Sequence, residues 1–319
     1  QGFYQSFGPS HRSASSEGIL VHPYLDDPLI QASSRKVLIS HLRRVQEVLM
    51  QHGFLLNVAK SALVPSQDLI FLGAQFLTNL GIVRLSQDRF LKIRWDVRLL
   101  LLQHSPRVLD WLKIQGDLAS SVVLVPWARF HLFKVVNWIL RNWGPTSQHF
   151  SHSILLPQFI RTALAWWLVR GNLLQGISLA PLSPCVITTD ASLSGWGAWL
   201  LHRRVQGSWS LRESGRSSNW RELRAILLAL RSFRRNVLGC PVLIRTDNVT
   251  AKTYVNRQGG SHSSSLNKLA VRIFTWAQRY VPSLTLIHIK GVLNTVTDSL
   301  GQEIPSSLEF SLHPDIFQA

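Results

Sequence analysis

Apolar residues recur along this chain with two periods, and the alternation between them outlines the fold. Residues 1–18 are polar and rich in Gly and Ser, and read as a loose end. Two short runs, 19–24 and 28–31, flank Asp26-Asp27 and predict a β-hairpin with an acidic tip. Between 33 and 52 the apolar positions Val37, Leu38, Leu42, Val45, Val48 and Leu49 fall mostly three or four apart, the stripe of a helix. The runs 54–56, 62–65 and 71–76 predict further short strands. From 86 to 142 the pattern is helical, with breaks near Pro106 and Pro126, because proline lacks the N–H a helix interior needs. Another helix is predicted over 156–170, containing Trp166 and Trp167.

The stretch 171–184 (GNLLQGISLAPLSP) is rich in Gly, Pro and Ser and marks a domain boundary. Beyond it the pattern predicts strands at 185–189, 195–202 and 205–210, then an amphipathic helix over 219–235. A buried strand at 242–246, helices at 249–256 and 263–280, a strand at 284–289 and a closing helix at 294–300 follow. There is no internal repeat. This order predicts an α+β or α/β protein whose second half is a mixed five-stranded sheet with flanking helices.

A length of 319 residues suffices for two cores, and 46% hydrophobic content excludes a disordered chain. No apolar run approaches the roughly 20 residues of a membrane-spanning helix. The opening residues lack a hydrophobic signal core, and the first residue is not Met, so the expectation is a fragment or processed piece inside the cell, in cytoplasm or nucleus. Two cysteines, Cys185 and Cys240, are too few for a disulfide framework, and a reduced setting is expected.

Charge changes the picture. Lys+Arg 34 against Asp+Glu 17 gives a formal net charge of +17, spread along the whole chain and carried mostly by Arg. The planar guanidinium fork suits phosphate, so the expected partner is nucleic acid; the alternative is an ordinary solvated basic surface. Of the 12 Trp residues, most are expected in the core and some could stack on bases.

Within the second half, Asp190 ends the strand VITTD and Asp247 ends VLIRTD. Acids at strand ends pack poorly but sit well in a cleft at a sheet edge. On the helix 219–235 the apolar positions Ala225, Ile226, Ala229, Leu230 and Phe233 place Glu222 at the inner end of the core-facing stripe. An acid there needs a partner, because burying an unpaired charge is costly. A metal is one candidate; the other is a capping box, with Asn219 as N-cap and Glu222 three residues on. Asp298 lies on the closing helix, where an ordinary surface acid is as natural. Phosphodiester hydrolysis needs an activated water and a stabilised leaving oxygen, and two Mg²⁺ ions about 3.5–4 Å apart supply both. Mg²⁺ (or Mn²⁺) takes hard oxygen ligands, which points to Asp190, Glu222, Asp247 and Asp298 as the metal set.

The segments TDASLSGWGAWL, NWRELRAILLAL, RTDNVTAKTYVN and HIKGVLNTVTDSL, in this order and spacing and with Gly195 and Gly197 after the first acid, resemble the ribonuclease H domain of retroelement polyproteins. The resemblance covers about 120 residues. It implies that the four acids bind two catalytic Mg²⁺ or Mn²⁺ ions for cutting the RNA strand of an RNA–DNA hybrid. It also implies that Asn248, with Arg245 and Arg221 nearby, meets the nucleic acid. Thr297 and the run Leu300-Gly301-Gln302 depart from the family pattern around the last acid. The catalytic-loop His of cellular ribonuclease H has no counterpart; His288 falls inside a strand, where a structural role is expected.

Tyr24-Leu25-Asp26-Asp27 resembles the YxDD motif of reverse transcriptases. The segment HGFLLNVAKSALVPSQDLIFLG is similar to the palm that follows it, with Lys60 at the basic position and Phe71-Leu72-Gly73 at the primer-grip turn. The implied domains are a partial palm at 1–82, a helical thumb and connection at 83–182, the ribonuclease H-like domain at 183–301 and a tail at 302–319. The likeness is greatest to DIRS-type (tyrosine-recombinase) retrotransposons, on the run SLEFSLHPDIF near the end. No Asp precedes Tyr24, so an N-terminally truncated polymerase that does not extend primers is expected. Two further readings stand beside the nuclease: a decayed or domesticated copy that grips nucleic acid without cutting it, and another nuclease or integrase on the same core.

Overall fold

The apolar stripe over 33–52 becomes a helix because Ser34 starts it, its hydroxyl accepting from the Val37 N–H. The computed structural model describes residues 18–144, 149–180, 182–259 and 263–289, and the fold divides into two compact units after Val83. In the first unit, strands β1 (Leu20–Tyr24) and β2 (Asp27–Gln31) form the expected antiparallel hairpin. Helix α1 (Arg35–Gln51) sets Val45 and Leu49 against Ile19 and Val21. The runs 54–56 and 62–65 are not strands: they lie in a loop with one 3-10 turn at Val58–Lys60. Phe54 and Leu56 serve instead as apolar anchors on that small core, which needs burial but no ladder partner. The run 71–76 divides at Leu72-Gly73, both with positive φ, into β3 (Asp68–Phe71) and β4 (Ala74–Leu77). A strand the pattern did not suggest, β5 (Ile82–Leu85), follows.

In the second unit the helical stretch breaks where its prolines require, into α2 (Gln87–Leu101), α3 (Val108–Ser121) and α4 (Ala128–Asn142). Helices α5 (Gln158–Ala165) and α6 (Arg170–Leu174) complete the layer. Segment 171–184, expected to be a domain boundary, thus contains part of a helix and the short strand β6 (Ile177–Ser178), because Leu173 is fully buried in the helical core. Trp111 and Trp167 centre that core, and a side chain buried so completely contributes about 1.5–3 kcal/mol. The Arg161 guanidinium donates to the carbonyls of Leu101 (2.6 Å) and Gln103 (2.7 Å), satisfying orphan acceptors where α2 ends.

The sheet has order β11-β10-β7-β8-β9, with β7 (Cys185–Ala191), β8 (Gly195–Leu200), β9 (Arg203–Ser208), β10 (Val242–Thr246) and β11 (Leu284–His288). The pairs β7–β10 and β10–β11 are parallel, and β7–β8 and β8–β9 antiparallel. After β9 come the single turn α7 (Leu211–Ser214), the long α8 (Ser218–Ser232) and the short α9 (Arg234–Val237). Helices α10 (Val249–Asn256) and α11 (Ser264–Tyr280) follow β10. The stripe Ala225, Ile226, Ala229 and Leu230 of α8 is fully buried in the core shared with Ile187, Ile244, Phe274 and Leu286. Trp127 and Phe130 from α4's N-terminal end join the same core, and the Gln258 carboxamide oxygen accepts from the Phe130 N–H at 2.8 Å. That bond caps a helix whose N-cap, Trp127, offers no side-chain acceptor of its own.

Candidate active site

Parallel pairing levels the two strand-end acids. Thr188 of β7 stands opposite Arg245 of β10, and Asp190 and Asp247 each follow two positions later. Side chains alternate along a strand, so two acids at equal offsets on paired strands point to one side. Across β7, Asp190 faces Gly197, whose lack of a side chain leaves room. Helix α8 brings the third acid. Its N-cap is Ser217, accepting from the Trp220 N–H, so Glu222 lies beyond the first turn and the capping-box role is excluded. One carboxylate oxygen each from Asp190, Glu222 and Asp247 lies within 4.8 Å of the others, the one such grouping among the described residues.

Asp190 is 8% exposed and Glu222 4%. Burial first, then the negative charges of Asp190 and Asp247, push the Glu222 carboxyl up to about 9. The Ala191 N–H and the nearby Arg221 charge pull the other way. Glu222 Oε2 is buried and accepts no hydrogen bond. Three converging acids, all hard oxygen donors, with one orphaned buried oxygen among them, fit a divalent cation such as Mg²⁺. Asp298, the fourth expected ligand, lies outside the described residues.

The residues expected to meet nucleic acid are distributed differently. Arg245 is exposed on β10. Arg221 is 7% exposed and donates from Nη1 to the Ser214 carbonyl at 2.8 Å, a role inside the fold. Asn248 caps α10, its Oδ1 accepting from Ala251 N–H at 2.7 Å, while its Nδ2 donates to Asn219 Oδ1 at 2.9 Å. The capping-box alternative put Asn219 at the start of α8; it lies instead inside the first turn and ties that helix to the residue that follows Asp247. Its position three residues before Glu222, on the same helix face, was the available signal. His288 ends β11 in register with Thr246 and is exposed, so it contributes little to the core. In the first unit, Leu25 and Asp26 form the hairpin tip between the paired Tyr24 and Asp27, and Tyr24, Asp26, Asp27 and Lys60 are all exposed.

Residues 180–279 match the family described as the RNase H-like domain found in reverse transcriptase. That span holds Asp190, Glu222 and Asp247. The chain is also similar to the enzymatic polyproteins of cauliflower mosaic virus, strains D/H and Strasbourg, each 24% identical over 298 residues. Those matches take in 88% of this chain, which spans 40% of the length of these relatives. Among solved structures, a foamy viral protease-reverse transcriptase in complex with double-stranded DNA aligns at 16% identity and a TM-score of 0.46. The alignment covers 89% of this chain and 48% of the other. LC11-RNase H1 in complex with an RNA/DNA hybrid aligns at 18% identity and a TM-score of 0.32, covering 36% and 91%.

Proposed function

We propose that the RNase H-like domain cuts the RNA strand of RNA–DNA hybrids at the site of Asp190, Glu222 and Asp247, with Asp298 as a fourth acid and two Mg²⁺ or Mn²⁺ ions. The observation that carries this reading is the convergence of three acids from β7, β10 and α8 on one point, with a buried oxygen left unpaired. Bound there, the ions would activate water and stabilise the leaving oxygen. The protein's own part is to hold the acids rigidly. The parallel ladder ends two residues before Asp190 and Asp247, Asp190 is held further by its pairing with Gly197, and Glu222 is held by the buried stripe of α8 and the Ala191 N–H. The Asn219–Asn248 bond holds the start of α10 beside them. Exposed basic residues such as Arg245 are available to phosphate.

The wider reading places this activity in a retroelement polyprotein of DIRS type, preceded by part of a reverse-transcriptase palm that carries Tyr24, Asp26, Asp27 and Lys60. It is supported by the polyprotein similarity across 88% of the chain and by the motifs 24–27 and 307–317. The test is cleavage of a labelled hybrid by the purified chain in Mg²⁺, with duplex DNA as comparison. Asp190→Asn is expected to lose at least ~10²-fold in turnover while hybrid affinity changes little. Unchanged cleavage in that variant would remove the site assignment; binding with no metal-dependent cleavage in the parent would make the chain a binding module.

A further inference from the structure

The two cysteines of the chain, far apart in sequence, are brought together by the same parallel pairing that levels the acids. Cys185 opens β7 opposite Val242, and its N–H donates to the Pro241 carbonyl at 2.8 Å, so Cys240 lies beside it just ahead of β10. The Cys240 thiol is close enough to help hold the Cys185 thiol above its ordinary value, and Cys185 Sγ lies 3.9 Å from the Asn236 carbonyl. Both thiols are free and partly exposed, so a small oxidant can reach them. We propose that Cys185 and Cys240 form a reversible intramolecular disulfide, a redox-modification site at the end of the β7–β10 pair remote from the acids.

The reaction needs a disulfide oxidant such as oxidised glutathione. One protein thiolate attacks a glutathione sulfur, forming a mixed disulfide and releasing one glutathione thiolate. The second protein thiolate then attacks the first protein sulfur and releases the other. Two protein thiols and one oxidised glutathione thereby become one protein disulfide and two reduced glutathiones. Burial and the neighbouring Cys240 hold the Cys185 thiol above its ordinary value, so exchange accelerates as pH rises. Asp190 lies five residues along β7 from Cys185, roughly 16 Å away, so the staple does not touch the acids. Its effect is on stability: the closed loop contains β8, β9 and α8, and tying its ends limits the unfolded chain.

The full chain is equilibrated with oxidised glutathione, alkylated with iodoacetamide and weighed by mass spectrometry, beside a reduced control. The expected product is a monomer two hydrogens lighter than the reduced chain, without alkylation and with Tm raised by on the order of 5–10 °C. Dithiothreitol should reverse both changes. Cys185→Ser and Cys240→Ser should each carry one glutathione and show no such gain; if either fails to fold, the wild-type masses decide. Two alkylated thiols after oxidation, or disulfide-linked dimers as the main product, would overturn the proposal. None of these readouts depends on nuclease activity.

Discussion

Glu222 is held where an ionised acid is least welcome, buried beside two further carboxylates and with one oxygen unpaired. A site of this kind trades stability for readiness to bind a cation. In EDTA, Glu222→Gln is therefore expected to stabilise the chain by roughly 1–3 kcal/mol, since it removes a buried acid and its repulsion. The parent should gain Tm on adding Mg²⁺ and the variant should gain much less; thermal unfolding with and without metal checks both. A variant that is less stable than the parent in EDTA would mean Glu222 is a structural acid. At this scale the sequence was informative wherever one position answered to one periodicity. Asp190 and Asp247 close strands with buried alternate positions, and Glu222 lies in register with Ala225, Ile226 and Ala229. Asn248 and Arg221 were harder to read, because short polar and long basic side chains take whatever partner tertiary approach supplies. The Asn219 amide and the Ser214 carbonyl become partners only once α8 docks.

Between elements, the helical layer and the five-stranded sheet of the second unit are joined by polar contacts that no local pattern encodes. His131 of α4 stacks on Trp166 with ring centroids 4.1 Å apart, and its Nε2 donates to the Gln278 oxygen of α11 at 3.1 Å. Burial, aided by the Lys134 charge and opposed by the Gln278 bond, lowers the imidazole from 6.5 to about 4. The folded state therefore refuses a proton that the unfolded chain accepts. This contribution to stability is complete above pH 6.5 and is lost as pH falls from 6.5 toward 4, by about 2–3 kcal/mol. Urea unfolding across that range should show a shallower decline in His131→Gln than in the parent; parallel curves would place the proton elsewhere. The turn after α10 makes a second joint. Gly259 has φ 156, and a Cβ there would come within 2.6 Å of the Phe133 ring. Gly259→Ala should cost about 2–4 kcal/mol by urea unfolding, combining backbone strain with displacement of a packed ring. These joints explain which parts of the fold were legible. Long amphipathic stretches such as α1, α8 and α11 were read from periodicity alone. The runs 54–56 and 62–65 were mistaken for strands because three or four apolar residues look alike whether they anchor a loop or pair in a ladder. β5 and α6 went unread because short elements depend on what packs over them.

At the scale of the whole molecule, a chain of net charge +17 carries an acidic cluster inside a positive field, and the two act oppositely on a polyanion. On the proposed reading, the positive field would drive binding through release of counterions from the nucleic acid. If 6–10 phosphates are neutralised, affinity falls by ~10³–10⁵ between 50 and 200 mM salt whether or not cleavage follows. The acids matter only locally. Without metal, Asp190 and Asp247 repel a phosphate brought to the site; with metal, the same oxygens hold the cation that attracts it. Neutralising one acid should therefore have an effect whose sign depends on the ion. In EDTA, Asp190→Asn should bind an RNA–DNA hybrid more tightly than the parent, by a few-fold for one partly screened charge. In Mg²⁺ the advantage should vanish or reverse, because the variant holds the metal less well. Fluorescence anisotropy on an uncleavable hybrid, titrated at two salt concentrations with and without Mg²⁺, separates these contributions. The salt slope should be common to both proteins, since the basic surface is unchanged, and only the offset between them should respond to metal. An offset indifferent to Mg²⁺ would mean that bound nucleic acid never approaches the three acids, and the proposed cutting site would have to be given up even if the chain binds hybrids tightly.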